Sequence, residues 1–269
     1  MKKQALEELV LAGRPVEAMA VAQSEVRLHP QDVQLRTLLF QLMAVTGQWT
    51  RASAQLEVCG ELDAGTLAMV NTYREALRCE QLREAVFEGK TTPMILGEPA
   101  EWVAALVQAL KLEADGDARA AAALRAQALE QAPATAGTLD GQAFDWICDA
   151  DSRLGPVLEA VVNGRYCWVP FAALSRVTIE APTDLRDLVW VPTALEFPNG
   201  GGSVALIPTR YPRSTAFDDE RVWMARRTEW QALAAGEQDE QYAGVGQRVL
   251  MTDQGEAGLL DVRLIELRG

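Results

Sequence analysis

Three carboxylates crowd one short stretch of the chain: Asp145, Asp149 and Asp151 flank Trp146-Ile147-Cys148. Hard cations such as magnesium take oxygen ligands, so these aspartates are where a metal-assisted reaction would find its donors. The competing use is structural, because Asp151-Ser152 ahead of Arg153 has the composition of a helix N-cap. Other chemistry is short of parts. The single histidine, His29, directly precedes Pro30, a poor setting for the base of a Ser-His-Asp or Cys-His arrangement. Cys59, Cys79, Cys148 and Cys167 form no CxxC pair, and one histidine without paired cysteines does not make a tetrahedral zinc site. No GxxxxGK phosphate loop occurs, and Gly200-Gly201-Gly202 lacks the strand-to-helix setting of a dinucleotide fingerprint. After Asn199 it reads as a hairpin turn. The reading assigns no catalytic, cofactor-binding or metal-binding residue.

A second set of polar groups sits within apolar, aromatic sequence: Arg186 with Asp187, Arg210 with Tyr211, and Arg226 with Arg227. Arginines so placed are expected to be partly buried and held by carboxylates, an arrangement that fixes geometry more than it adds stability. Arginine and the large aromatics also dominate protein interfaces. Trp168, Trp190, Arg210, Tyr211 and Trp230 are therefore the candidate partner-binding residues, with core packing as the alternative for several of them.

Two grammars of sequence must position these groups. Up to about residue 135 the chain is rich in alanine, leucine and glutamate, and its apolar residues recur at three- and four-residue intervals, the mark of a helical face. A pattern also repeats. Ala12-Gly13-Arg14-Pro15-Val16-Glu17-Ala18 is echoed by Thr46-Gly47-Gln48-Trp49-Thr50-Arg51-Ala52 and again by Asp115-Gly116-Asp117-Ala118-Arg119-Ala120-Ala121. The first two glycines stand 34 residues apart, Gly13 to Gly47, the length of a tetratricopeptide helical hairpin. Four such units would fill this half, with a degraded copy near Glu84-Ala85; a plain helical bundle is the alternative.

From about residue 140 short β-branched and aromatic runs punctuated by proline and glycine take over. Strands are expected at 166–171, 177–180, 188–191, 204–207, 249–252 and 259–267, and helices at 152–163 and 218–233. The segment 132–141 reads as a linker. The predicted fold class is therefore α+β: an all-α, tetratricopeptide-like repeat domain over 1–135, then a smaller α+β domain over 140–269 with a mainly antiparallel sheet.

Charge narrows the function classes. With 25 basic against 38 acidic residues the net charge is -13, which disfavours unspecific nucleic-acid binding. Lys2, Lys3, Lys90 and Lys111 are the only lysines, so no polybasic membrane patch exists. No apolar run approaches a membrane span. Glu7 and Glu8 fall where a signal sequence would be uncharged. A cytoplasmic protein with reduced, buried thiols is the expectation.

The same aromatic and arginine blocks carry a family likeness. Phe144-Asp145-Trp146-Ile147, Asp151-Ser152-Arg153-Leu154-Gly155-Pro156-Val157-Leu158-Glu159, Asn163-Gly164-Arg165-Tyr166-Cys167-Trp168-Val169-Pro170-Phe171, Asp184-Leu185-Arg186-Asp187-Leu188-Val189-Trp190-Val191-Pro192, Ile207-Pro208-Thr209-Arg210-Tyr211-Pro212, Arg226-Arg227-Thr228-Glu229-Trp230 and Gly246-Gln247-Arg248 follow in order. Together they resemble the ImpE/TagJ (also SciE) family of bacterial type VI secretion accessory proteins. That resemblance implies a non-catalytic, cytoplasmic adaptor. It would bind the small subunit of the contractile sheath, TssB, and link it to the disassembly ATPase ClpV; the repeat pattern, whose concave groove suits an amphipathic helix, adds the expectation that TssB docks a short helical segment. Nucleic acid, membrane and cofactor have no part in this reading. A metal-dependent enzyme using Asp145, Asp149 and Asp151, or a general peptide-binding repeat protein, are the rival expectations.

Overall fold

The computed structural model describes residues 2–98, 100–233 and 241–268. Helices dominate the first half, with one short strand between the fifth and sixth: α1 (Lys2–Leu11), α2 (Pro15–Leu28), α3 (Val33–Val45), α4 (Trp49–Leu62), α5 (Leu67–Phe87), α6 (Glu101–Ala114) and α7 (Ala118–Gln131). Local chemistry sets their ends. Pro15 opens α2, and the side chains of Asp32 and Asp117 accept from the backbone N–H groups of Leu35 and Ala120 at the starts of α3 and α7. At the other ends Gly13, Gly47 and Gly116 have φ of +73°, +71° and +88°. The residue after each donates back across the last turn, Arg14 to Leu9, Gln48 to Met43 and Asp117 to Leu112. That left-handed glycine closure turns α1 into α2, α3 into α4 and α6 into α7.

The repeat is interrupted in the middle. Where a fourth copy was expected, Glu84 and Ala85 lie inside α5, one unbroken helix of 21 residues. No glycine stands there to reverse the chain; the left-handed glycine comes only at Gly89 (φ +67°), after α5 has ended, so α1–α2, α3–α4 and α6–α7 form hairpins while α5 packs as a single long helix against α4.

The second half is built on a nine-stranded sheet in the order β1-β6-β5-β9-β8-β7-β14-β2-β3. Its strands are β1 (Met94–Ile95), β2 (Ala136–Leu139), β3 (Gln142–Phe144), β5 (Val157–Val162), β6 (Arg165–Pro170), β7 (Arg176–Ile179), β8 (Trp190–Glu196), β9 (Gly202–Pro208) and β14 (Leu264–Arg268). Every pairing is antiparallel except β1 with β6. Two smaller ladders flank it: β10 (Thr228–Ala232) with β11 (Tyr242–Gly246), and β4 (Ile147–Asp149) with β12 (Val249–Thr252) and β13 (Gly255–Gly258). A one-turn helix, α8 (Glu220–Trp223), precedes β10.

Both faces of the large sheet are covered. Val157, Val161, Tyr166, Trp168, Trp190 and Leu206 share one apolar core with Leu39, Phe40, Leu77 and Leu106 of the helices. The alternate residues Leu158, Ala160, Cys167, Val169, Val191 and Ile207 join a second core with Leu250, Leu259 and Ile265. This double burial explains a correction. The run expected as a helix over 152–163 is β5, all of whose residues are buried; a strand covered on both faces loses the alternation that would have marked it. Likewise 218–233 holds only α8 and then β10, because Asp219 caps a single turn before the chain extends. The linker expected at 132–141 contains β2, and the strand expected at 259–267 begins only at Leu264.

Candidate functional site: a buried joint between helices and sheet

Helix α5 lays a mixed stripe against the sheet. Tyr73, Ala76, Leu77, Glu80, Arg83 and Val86 are buried along it, at the three- and four-residue spacing of one helical face. Two of the six are charged, and both find partners across the joint. The Arg83 Nε donates to Glu159 Oε1 of β5 at 2.8 Å, and an Nη donates to Oε2 at 3.1 Å. The same guanidinium reaches Glu80 at 3.3 Å and the carbonyl of Arg210 at 2.7 Å.

Glu159 is fully buried and also accepts from Arg248 and from the Tyr166 hydroxyl. Burial by itself would raise its carboxyl. The guanidiniums of Arg83 and Arg248, with the hydrogen bonds from Arg83 and Tyr166, outweigh that and hold it at about 2. Burial pushes Asp149 the other way, up to about 6, against the pull of Arg248 2.5 Å away and with Asp151 adding to the rise. Burial also opposes the charge on Arg83 and Arg248, but their carboxylate partners raise both above the usual arginine value.

The candidate residues fall in this joint. Trp190 packs at a tilt between Trp49 and Tyr73, each ring centroid 5.9 Å away, and its Nε1 donates to Glu80 at 2.8 Å. Trp168 donates to the Tyr166 hydroxyl at 2.8 Å and lies against Phe87. Tyr211 donates to Asp149 at 3.0 Å, accepts from Val249 N–H at 3.0 Å, and carries the Arg248 guanidinium over its ring at 5.3 Å. Arg210 reaches the last carbonyls of α3, Val45 at 2.6 Å and Ala44 at 3.3 Å, and Trp223 at 2.5 Å. Burial draws its guanidinium down to about 10, with Glu80 opposing.

Four of the five candidates are therefore enclosed: Trp168 and Trp190 are 0% exposed, Tyr211 1% and Arg210 5%. A side chain in that position gives a partner no surface to touch, so what they do is join helices to sheet. Trp230, on β10, is 38% exposed and lies 5.7 Å from the Tyr211 ring. It alone of the five keeps a face toward solvent.

Arginines from one segment also read the repeat. Arg226 donates to the Leu11 carbonyl at the end of α1 at 3.2 Å, as Arg210 does to Val45 at the end of α3. Leu11 and Val45 hold the same place in successive hairpins, two residues before Gly13 and Gly47. A cation at a helix C-terminus satisfies orphan carbonyls and meets the negative end of the helix dipole. The segment seats closely, for a Cβ on Gly13 would meet Arg226 at 2.6 Å and one on Gly47 would meet Thr215 at 2.5 Å.

The aspartates weighed as cation ligands are engaged. Asp149 serves Arg248, Tyr211 and the backbone N–H of Asp151. Asp151, instead of capping a helix, accepts from Arg153 and from Gly244 N–H. Asp145 is exposed. No group of three or more His, Cys, Asp or Glu suited to a metal occurs among the described residues. The pocket over Glu80, Arg83 and Arg210 measures about 20 Å³, room for little more than one water. The five candidates leave out Glu80, Arg83 and Glu159, although Glu159 closes one of the family-like blocks. The signal was present: two charges on the apolar stripe of α5, and one inside a run of valines.

The molecule is thus a helical-repeat protein locked onto a double-covered antiparallel sheet by a buried, arginine-rich joint. Residues 141–266 match the ImpE protein family. Over 260 residues the chain is 51% identical to the type VI secretion system accessory component TagJ of Pseudomonas aeruginosa, covering 97% of this chain and 90% of that one. The chain belongs to the ImpE family. A crystal structure of a protein from Vibrio parahaemolyticus shares the fold, with a TM-score of 0.89 at 22% identity over 98% of both chains. No helix among the described residues is long and apolar enough to cross a membrane.

Proposed function

We propose that this chain is a non-catalytic accessory protein of a bacterial type VI secretion system, acting in the cytoplasm as an adaptor between the sheath small subunit TssB and the ATPase ClpV. The observation that carries the reading is the 51% identity, over nearly the whole chain, to an accessory component of that system. The joint supports a scaffold role, because its charges are spent on one another instead of facing a substrate-sized cavity. Trp230 remains the aromatic of the original five that a partner can reach.

A bridging experiment tests this. ClpV is passed over immobilised TssB with and without the purified full-length chain. The adaptor reading expects the chain to be retained on TssB and to increase the retention of ClpV. A folded chain that binds neither protein overturns it. The metal-dependent alternative has its own test, since calorimetry with millimolar magnesium or manganese should register no saturable heat.

A further inference from the structure

The ribbon of β10 and β11 has one satisfied edge and one open edge. Its ladder is fixed at both ends: Leu233 N–H bonds Gln241 O at 2.9 Å, and Gln247 N–H bonds Arg227 O at 3.1 Å. With Glu229 opposite Val245 and Gln231 opposite Ala243, the backbone groups of Glu229 and Gln231 turn toward β11, because facing residues alternate between bonded and non-bonded pairs. Those of Tyr242, Gly244 and Gly246 point out of the ribbon on the β11 side, and there partners take them. Tyr242 N–H reaches the Ser152 hydroxyl, and the Tyr242 carbonyl accepts from Ser152 N–H. Gly244 N–H reaches Asp151, and Gly246 N–H reaches Ser214.

On the β10 side Thr228, Trp230 and Ala232 point outward in the same way, and their N–H groups have no acceptor among the described residues. Trp230, Gln231 and Ala232 are exposed, so this edge lies at the surface. It also lacks the usual guards of a free edge. β10 holds no proline or lysine, its pairing with β11 runs without a bulge, and its single charge, Glu229, is engaged by Arg227. Trp230 and Tyr242 stand diagonally on one face of the ribbon, each 38% exposed.

We propose that this edge pairs with the same edge of a second copy of the chain, giving one continuous antiparallel ribbon of β11, β10, β10 and β11 about a two-fold axis. The residues select the register. Only outward-facing backbone groups can bond, so the axis lies at Trp230 or at a residue beside it. An axis at Glu229 sets that carboxylate against its own copy, and like charges directly opposite are unfavourable. An axis at Gln231 runs Thr228 past the end of β10. An axis at Trp230 puts Thr228 opposite Ala232 and Glu229 opposite Gln231, so every outward residue of β10 is paired. It also brings the two Trp230 rings together with Tyr242 beside them, an aromatic cluster that gains from mutual burial. At this register the edge is its own complement, with no like charges face to face, which is why the occupant is a second copy. Both free edges of the ribbon are then consumed, so the pairing closes at two. The proposal does not depend on the adaptor reading.

Sedimentation of the full-length chain tests it. Across the micromolar range the average mass should rise with concentration from that of one chain to that of two, and no further. Ala232→Pro removes an outward donor that the ladder to β11 does not use. It should stay monomeric, with the melting temperature of the wild type in dilute solution, while Ala232→Ser, which keeps the N–H, should dimerise as the wild type does. If the proline variant fails to fold, Trp230→Glu takes its place; it sets two carboxylates face to face at the axis and should be monomeric. Gln231→Lys puts a cation opposite Glu229 on each side of the axis and should tighten dimerisation about threefold. A mass that stays at one chain overturns the proposal, as does growth beyond two chains or a dimer that the folded Ala232→Pro or Trp230→Glu variant retains. Unchanged or weaker association of Gln231→Lys overturns the axis at Trp230.

Discussion

Glu159 gathers Arg83 from α5, Arg248 from the turn before β12 and Tyr166 from β6 onto one buried carboxylate. Because its folded-state pKa, about 2, lies below its ordinary 4.5, its contribution is complete above pH 4.5 and is lost as pH falls toward 2. That span corresponds to roughly 3 kcal/mol. Asp149, pushed up to about 6, titrates above the window, so the two carboxyls separate. Urea denaturation across pH should show Glu159→Gln less stable at pH 7 by about 3–5 kcal/mol, as expected for breaking a buried pair. Its acid dependence below pH 4.5 should also be flatter than that of the wild type; an unchanged slope would remove Glu159 from this role. Trp190→Phe keeps the ring between Trp49 and Tyr73 but orphans Glu80 Oε1, and should cost about 1–3 kcal/mol. Since Trp190 is enclosed, TssB affinity measured below the unfolding transition should not change.

At the scale of elements, glycines decide where helices turn back. Gly47 and Gly116 both adopt positive φ, yet a Cβ on Gly47 meets Thr215 at 2.5 Å while one on Gly116 meets nothing within 4 Å. Gly116→Ala should therefore cost about 1 kcal/mol of backbone strain, and Gly47→Ala distinctly more, as thermal melts would show. Equal losses would mean that Thr215 yields freely. The same glycines are why the hairpins were legible from sequence: Gly13, Gly47 and Gly116 each leave a local mark that needs no tertiary context. The hairpin at Asn199 was legible for the same reason and joins β8 to β9. What stayed hidden was set by distant partners. Val157 to Val162 reads as a helix until both faces of the sheet are known to be covered, and Asp151 reads as a cap until Gly244 and Arg153 claim it. The arginine and tryptophan blocks were visible, and burial was one of the two readings they allowed, but the choice between core and interface was not. Composition cannot distinguish an interface with another chain from one within the same chain, because both are aromatic and arginine-rich.

Across the whole molecule, one apolar core contains residues of α1 through α7 and of β5, β6, β8 and β9. The two proposed domains, 1–135 and 140–269, should therefore melt together, and calorimetry should record a single transition whose van't Hoff and calorimetric enthalpies agree. Two resolved transitions would mean that the joint is weaker than its hydrogen bonds imply. A rigid joint suits an adaptor, which must hold two partners in fixed relation, and the acidic surface, at a net charge of -13, favours partner segments of opposite sign. The central claim is that this scaffold binds the sheath. Titration calorimetry of the full-length chain with purified TssB tests it most directly. The account predicts saturable heat at fixed stoichiometry, weakening as salt is raised; no heat from two folded proteins would contradict it.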